Sequence, residues 1–124
     1  MIKYRCITNN PIMLDGEFQN IEFIDTDILH LFYCVEQEVC KGYRLLTHPL
    51  TGSIRPDITP YKSVLLSECG VEPDRESIEL IQKAIYYVYR LETNHAKPDW
   101  GINERLDFQF VDRDFIQNIL VINQ

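Results

Sequence analysis

The residues with the greatest capacity for chemistry lie in the segment 47–63, THPLTGSIRPDITPYKS. His48 can take up or release a proton near neutral pH, because an unperturbed imidazole titrates there. Arg55 and Lys62 carry positive charge that suits a carboxylate or a phosphate. The run Thr51-Gly52-Ser53 offers hydroxyls and backbone N–H groups of the kind that surround bound anions. We therefore predict a binding site for a small anionic ligand in this segment.

Each of these residues also has a purely structural interpretation. His48 would then hydrogen-bond the backbone of its own loop, and Arg55 and Lys62 would be solvated surface charges. The segment matches neither the GxxxxGK[ST] phosphate loop nor the GxSxG nucleophile elbow. No Ser-His-Asp order or pair of catalytic carboxylates stands out. The sequence assigns no catalytic residue, and it leaves open whether the protein is an enzyme.

The length of the segment favours a functional loop. Long connections without secondary structure are uncommon in small domains, where they are usually functional or disordered. Pro49, Pro56 and Pro60 each fix φ and remove a backbone donor, which argues against simple disorder. Three apolar residues can anchor the loop to the core: Leu50, Ile54 and Ile58. We expect an ordered loop that forms part of a site.

The apolar pattern predicts the elements that must hold this loop. Strands are predicted at about 2–8, 21–24, 43–47, 63–67 and 106–111. Helices are predicted at about 26–41, 75–92 and 114–121, after a short helical turn at Pro11. One face of the first long helix would be formed by Ile28, Phe32, Val35 and Val39, and one face of the second by Ile78, Ile81, Ile85 and Val88. Strands separated by helices predict one three-layer α/β domain over 1–124, with a mainly parallel sheet of about five strands.

The predicted topology suggests which residues meet. Open sheets of this kind bind ligands beyond the carboxyl ends of their strands. Asn9 and Asn10 follow the first strand and Thr47 and His48 follow the third, so we expect them at one edge of the sheet. The two asparagines have an equal claim to a capping role before Pro11, since Asn bonds nearby backbone readily. The predicted binding residues are Asn9, Asn10, Thr47, His48, Gly52, Ser53, Arg55, Lys62 and Ser63.

Composition excludes several classes of partner. The chain has 124 residues and a net charge of −7, with 19 acidic and 12 basic side chains. Such a balance disfavours nucleic-acid binding, which depends on Lys and Arg at phosphates. No apolar run reaches the roughly 20 residues that span a bilayer, and the first ten residues are too polar for a signal peptide. We expect a cytoplasmic protein that does not bind membranes.

Metal and cofactor sites are not predicted. The four cysteines form no CxxC, and their spacing matches no zinc or redox site. His30 and Cys34 stand one turn apart on a helix, but no further ligand has a matching position. Tyr86, Tyr87 and Tyr89 surround the long helix and cannot all face inward. They favour either a homodimer contact or isolated surface positions.

Several motifs resemble those of the GrdX family. They are Leu45-Leu46-Thr47-His48-Pro49-Leu50-Thr51-Gly52-Ser53, Thr59-Pro60-Tyr61-Lys62-Ser63, Ile7-Thr8-Asn9-Asn10-Pro11, Lys97-Pro98-Asp99-Trp100 and Leu106-Asp107-Phe108. The resemblance implies a small bacterial protein encoded beside glycine, sarcosine and betaine reductase components in amino-acid-fermenting anaerobes. It implies a reductase component as a partner, and it supplies no catalytic residues.

Two functions follow from these observations. The first is a non-enzymatic accessory protein that holds a small anionic ligand or a partner segment in a polar pocket. The second is a small enzyme in which His48 acts as acid or base while Arg55 or Lys62 holds a carboxylate or phosphate. Both depend on the prediction that the residues near positions 9 and 48 lie at the same edge of the sheet.

Overall fold

The computed structural model describes residues 3–51 and 54–122. Four strands and three α-helices follow one another along this part of the chain, together with one 3₁₀ turn. They are β1 (Arg5–Thr8), the 3₁₀ turn (Pro11–Leu14), β2 (Ile21–Phe23), α1 (Ile28–Lys41), β3 (Tyr43–Leu45), β4 (Ser63–Cys69), α2 (Arg75–Asn94) and α3 (Ile102–Ile122). No helix in the described ranges is long and apolar enough to cross a membrane.

The sheet is mixed, with the strand order β2-β1-β4-β3. β1 pairs with β2 in parallel, whereas β4 is antiparallel to both β1 and β3. The prediction of a mainly parallel sheet of about five strands was therefore wrong. The reason lies in the connection from β3 to β4, whose described residues contain no helix. Parallel neighbours need a crossover, usually helical, and this loop instead returns the chain alongside β3.

The predicted fifth strand at 106–111 was also wrong, because these residues belong to α3. The buried residues of α3 follow helical spacing, at Gln109, Asp112, Ile116 and Leu120. The first two are polar, so the apolar pattern does not show the helix over its first half. The predicted helix at 114–121 is only the second half of an element that spans Ile102–Ile122.

Helices cover both faces of the sheet. α1 and α2 pack together on one face against Ile7, Val64 and Leu66, while α3 and the 3₁₀ turn pack on the other against Cys6 and Leu65. This division follows from the pleat, in which successive side chains point to opposite faces. The same alternation places the paired residues Thr8 and Ser63 on the α3 face.

The end of α1 at Lys41 was predicted correctly, whereas the sequence favoured Thr26 or Asp25 as the capping residue and the structure has Asp27 in that role. The side chain of Asp27 accepts a hydrogen bond from His30 N and caps the start of the helix, as capping residues do. Gly42 follows its last residue with φ +123°, and a Cβ there would lie 2.7 Å from the carbonyl oxygen of Gly70. All four predicted stripe residues of α1 are buried.

The two segments that the sequence predicted to form the site, near positions 9 and 48, follow strands that end at the same edge of the sheet. β1 and β3 both run antiparallel to β4, so both end at the edge where β4 begins. Asn9 N donates to the carbonyl oxygen of Lys62 at 3.3 Å, which continues the β1–β4 pairing past Thr8. Thr47 Oγ1 accepts from Leu65 N at 3.3 Å and holds the other end of the loop to β4. The expected convergence at one edge is present in the fold.

Candidate functional site

A chain of buried hydroxyls links β1 and β4 to α3. Thr8 Oγ1 lies 2.7 Å from Ser63 Oγ, and Ser63 Oγ lies 2.6 Å from Asp112 Oδ2. Asn10 N donates to Thr8 Oγ1 at 2.9 Å. The simplest proton arrangement therefore runs in one direction, with Thr8 donating to Ser63 and Ser63 donating to Asp112.

Asp112 accepts three hydrogen bonds in this network. Oδ1 accepts from Ser63 N at 3.0 Å, and Oδ2 accepts from Ser63 Oγ and from Asn10 Nδ2, the latter at 3.0 Å. Burial raises the pKa of Asp112, and the hydrogen bonds together with the charge of Lys62 act in the opposite direction. Donors of this kind are what a buried carboxylate requires. Asp112 thus joins the edge of the sheet to α3.

The two asparagines are fully hydrogen-bonded within the chain. Asn9 Oδ1 accepts from Lys62 N at 2.8 Å, while its Nδ2 donates to the carbonyl oxygens of Thr26 and Pro60. Asn10 Nδ2 also donates to the carbonyl oxygen of Gln109, and its Oδ1 accepts from the backbone. An amide has two donors and one acceptor oxygen, so these side chains shape the edge of the sheet. Their predicted role toward a ligand stays a prediction.

Lys62 places a positive charge in this polar region. Its side chain is largely buried, with the residue only 7% exposed. The ammonium donates to the carbonyl oxygen of Thr51 and lies 5.8 Å from the ring centroid of Phe115. It forms no salt bridge with any residue in the described ranges. Desolvation by burial lowers the pKa of Lys62, against the opposing effect of Asp112.

A small pocket opens beside the Lys62 ammonium. Its volume is about 20 Å³, which is room for about one water molecule. Most of its wall is apolar, with one cation and one carboxylate. The lining residues are Ile54, Thr59, Tyr61, Lys62, Phe108, Val111, Asp112 and Phe115. The arrangement can hold one small polar group against Lys62 while keeping bulk water away.

Comparison with known families identifies the chain. The sequence profile of a family described as GrdX-like protein matches residues 5–121. The chain belongs to this family. No curated protein and no solved structure matches it. The match confirms the resemblance, and in this GrdX-like chain it spans the sheet edge, the loop and α3 together.

The loop of this GrdX-like chain is anchored along its length. Leu50 packs partly against the core beneath α1 and α2, and Ile54 lines the Lys62 pocket. Ile58 is 37% exposed, so its side chain is a weaker anchor than predicted. Its carbonyl oxygen instead accepts a hydrogen bond from Trp100 Nε1 at 2.7 Å.

Two candidates from the sequence, His48 and Arg55, lie outside the pocket lining. The His48 ring is exposed, and its Nδ1 accepts from Leu50 N at 3.1 Å. Arg55 makes two hydrogen bonds to Asp57, at 3.0 and 2.6 Å. Both side chains therefore have a partner within the loop. His48 orders its own loop as the structural interpretation expected, although through a backbone N–H and not a carbonyl, whereas Arg55 is paired with Asp57 and not simply solvated. Thr47 is buried at the end of β3, and the predicted residues Gly52 and Ser53 lie outside the described ranges.

Asn10 and Ser63 are the predicted residues that the fold brings into the network, and Lys62 lies beside it. Sequence reasoning missed three of its members, namely Thr8, Gln109 and Asp112. A signal for Asp112 was present, because it stands four and eight residues before Ile116 and Leu120, which are buried on the same face of α3. A carboxylate at a core position of a helix is rarely buried without partners, and it would have pointed to this site.

Proposed function

We propose that this GrdX-like protein is an accessory binding protein of the glycine, sarcosine and betaine reductase system, and that it binds a carboxylate at Lys62. Family membership supports the first part, through the role that the GrdX resemblance implies. The observation that carries the second part is the buried Lys62 ammonium, which has no carboxylate partner among the described residues.

The charge of Lys62 is only partly compensated, because Asp112 lies near it but forms no salt bridge with it among the described residues. Burying an ammonium is costly unless a counter-charge or several hydrogen bonds compensate it. Asp112 is the nearby carboxylate, and its oxygens already accept three hydrogen bonds from Ser63 and Asn10. A ligand carboxylate beside Lys62 would form a charge-assisted hydrogen bond, which is stronger than a neutral one.

The wall of the pocket would strengthen that contact. Phe108, Val111 and Phe115 form the wall of the pocket on the α3 side. Charges attract more strongly where apolar groups displace water, because the effective dielectric constant is lower. A single carboxylate carries less charge to be desolvated than a phosphate does, so it suits such a surface better.

The size of the pocket limits what can enter. A volume of about 20 Å³ admits one oxygen of a carboxylate, while the rest of the ligand must lie outside. Glycine, sarcosine and betaine each carry one carboxylate on a short carbon chain, and so does an acidic side chain or a chain terminus of a partner protein. The shared chemistry is the carboxylate, and the experiment distinguishes its sources.

The described contacts of the site do not support the alternative in which His48 acts as an acid or base of an enzyme. His48 is hydrogen-bonded to its own loop, and the residues that line the Lys62 pocket do not include it. Arg55 is occupied by Asp57. The binding role is therefore the one that we propose.

Binding can be tested with the Lys62→Met variant, which keeps an unbranched side chain and removes the charge. Acetate, glycine and inorganic phosphate would be titrated against the wild-type protein, with backbone amide NMR shifts as the readout. We expect acetate or glycine to shift amides near Ser63 and Phe115, and we expect Lys62→Met to lose the response. Lys83→Met, at an exposed lysine of α2, serves as the matched control.

A partner carboxylate would give a different pattern. Small carboxylates would then produce no response, while a purified reductase component would bind the wild-type protein and not Lys62→Met. The proposal fails if both kinds of binding are absent, or if Lys62→Met responds as the wild-type protein does.

A further inference from the structure

A second surface lies between α1 and α2, on the face of the sheet opposite to the Lys62 pocket. It is an open groove of about 380 Å³, within the size range of small-molecule sites. Three tyrosines and one carboxylate dominate its lining. The lining residues are Tyr33, Glu36, Gln82, Ile85, Tyr86 and Tyr89.

Helical spacing explains why these residues meet. Tyr33 and Glu36 are three residues apart on α1, and residues with this spacing share a helix face. On α2, Tyr86 and Tyr89 are related in the same way. The rings of Tyr33, Tyr86 and Tyr89 are 41%, 61% and 52% exposed, so they belong to the surface and not to the core below.

The groove has the electrostatic character of a cation site. The face of an aromatic ring is electronegative. Glu36 is half-buried, and it forms no salt bridge within the described part of the chain. The guanidinium of Arg90 already lies 5.8 Å from the ring centroid of Tyr86. One ring of the groove thus attracts a cation from its own helix.

We propose that this groove binds a methylated ammonium group, with the tyrosine rings around the methyl groups and Glu36 as the counter-charge. A methylated ammonium donates few or no hydrogen bonds, so it loses less on leaving water than a primary ammonium does. Aromatic surfaces with a nearby carboxylate are suited to such groups. The groove shares no lining residue with the Lys62 pocket, so binding in the groove does not depend on the function proposed for that pocket.

The test uses tetramethylammonium chloride as the probe and the ring resonances of the seven tyrosines as the readout. We expect the rings of Tyr33, Tyr86 and Tyr89 to shift, while Tyr87, which does not line the groove, stays unchanged. Sodium chloride at equal ionic strength controls for salt. Tert-butanol, which is similar in size and uncharged, controls for apolar binding.

Variants separate the two parts of the site. Tyr86→Leu and Glu36→Gln should each weaken binding about two- to fivefold. The matched controls Tyr87→Leu, on the same helix, and Glu76→Gln should leave binding unchanged. Arg90→Met should strengthen binding, because it removes a cation that competes for the ring of Tyr86.

Three results would overturn the proposal. The first is the absence of shifts in the groove tyrosines. The second is an equal response to tert-butanol, which would show an apolar surface without charge selectivity. The third is a stronger response to guanidinium chloride than to tetramethylammonium, which would indicate an arginine-binding surface. None of them bears on carboxylate binding at Lys62.

Discussion

The two faces of the sheet are stabilised in different ways. On the α1–α2 face, the strands meet an apolar cluster that includes Phe32, Val35 and Ile81. On the α3 face, the end of β1 and the start of β4 meet the buried carboxylate of Asp112. An apolar core tolerates substitutions that conserve side-chain volume at modest cost. A buried polar network does not tolerate the loss of one member, because its partners are left unsatisfied.

The largest effect is expected for Asp112→Ala. The change removes the acceptor for Ser63 and Asn10 and leaves the Lys62 charge buried without the one carboxylate near it. Removing one partner from a buried charged network costs about 3–5 kcal/mol. Urea denaturation would measure the free energy of unfolding. Asp114→Ala, at an exposed position of the same helix, should change it by about 0.5 kcal/mol or less.

A small loss from Asp112→Ala would contradict the comparison. It would mean that the hydrogen bonds around the carboxylate contribute no more than surface contacts, and that α3 is held by Ile116 and Leu120 alone.

Ser63→Ala should have the second largest effect. The variant keeps the backbone donor to Asp112 but removes the hydroxyl between Thr8 and the carboxylate. Leaving a buried polar partner unsatisfied costs about 1–3 kcal/mol. Ser67→Ala on the same strand is the control, because that hydroxyl is partly exposed, where water can replace its bonds to Arg44 N and to the carbonyl oxygen of Glu68. Equal losses of unfolding free energy for the two variants would show that burial of the network is unimportant.

Ile81→Val probes the apolar face with a comparably small change. Ile81 is fully buried in the α1–α2 cluster, and the variant removes one methyl group. Such substitutions cost about 0.5–1.5 kcal/mol. The same denaturation experiment would place this value below that of Ser63→Ala. The reverse order would remove the distinction between the two faces.

The sequence predicted the elements of the apolar face better than those of the face with the buried polar network. The apolar stripe and the end of α1 are local signals, and the buried position of Val35 and the end of the helix near residue 41 were predicted correctly from them. The direction of β4 depends on the course of the loop before it, which is a long-range property that periodicity does not contain. α3 was split because Gln109 and Asp112 occupy core positions. The polar residues that form the buried network thus also interrupt the apolar pattern that would have predicted α3 as one helix.

Only part of the site was predicted, and the reason for the missing part is related. Asn10, Lys62 and Ser63 stand in turn-rich or loop-flanking segments, where polar residues indicate a possible functional site. Asp112 stands inside a helix, where an acidic residue is ordinarily solvated. His48 was predicted as a site residue because an imidazole can act as an acid or a base. The sequence does not show whether the side chain faces a pocket, and His48 does not line the one beside Lys62.

The smallest effect concerns Lys62 and the dependence of stability on pH. Burial lowers the pKa of Lys62 in the folded protein, so the unfolded chain binds this proton more tightly. Stability must therefore rise with pH between the folded pKa and the ordinary lysine pKa of about 10.4. Lys62→Met should lack this rise, while Lys83→Met should retain it. The measurement is the difference in unfolding free energy between wild type and variant across alkaline pH. A difference that does not change with pH would indicate that the Lys62 ammonium is as well solvated as a surface lysine, and the reason for an anion to bind there would be lost.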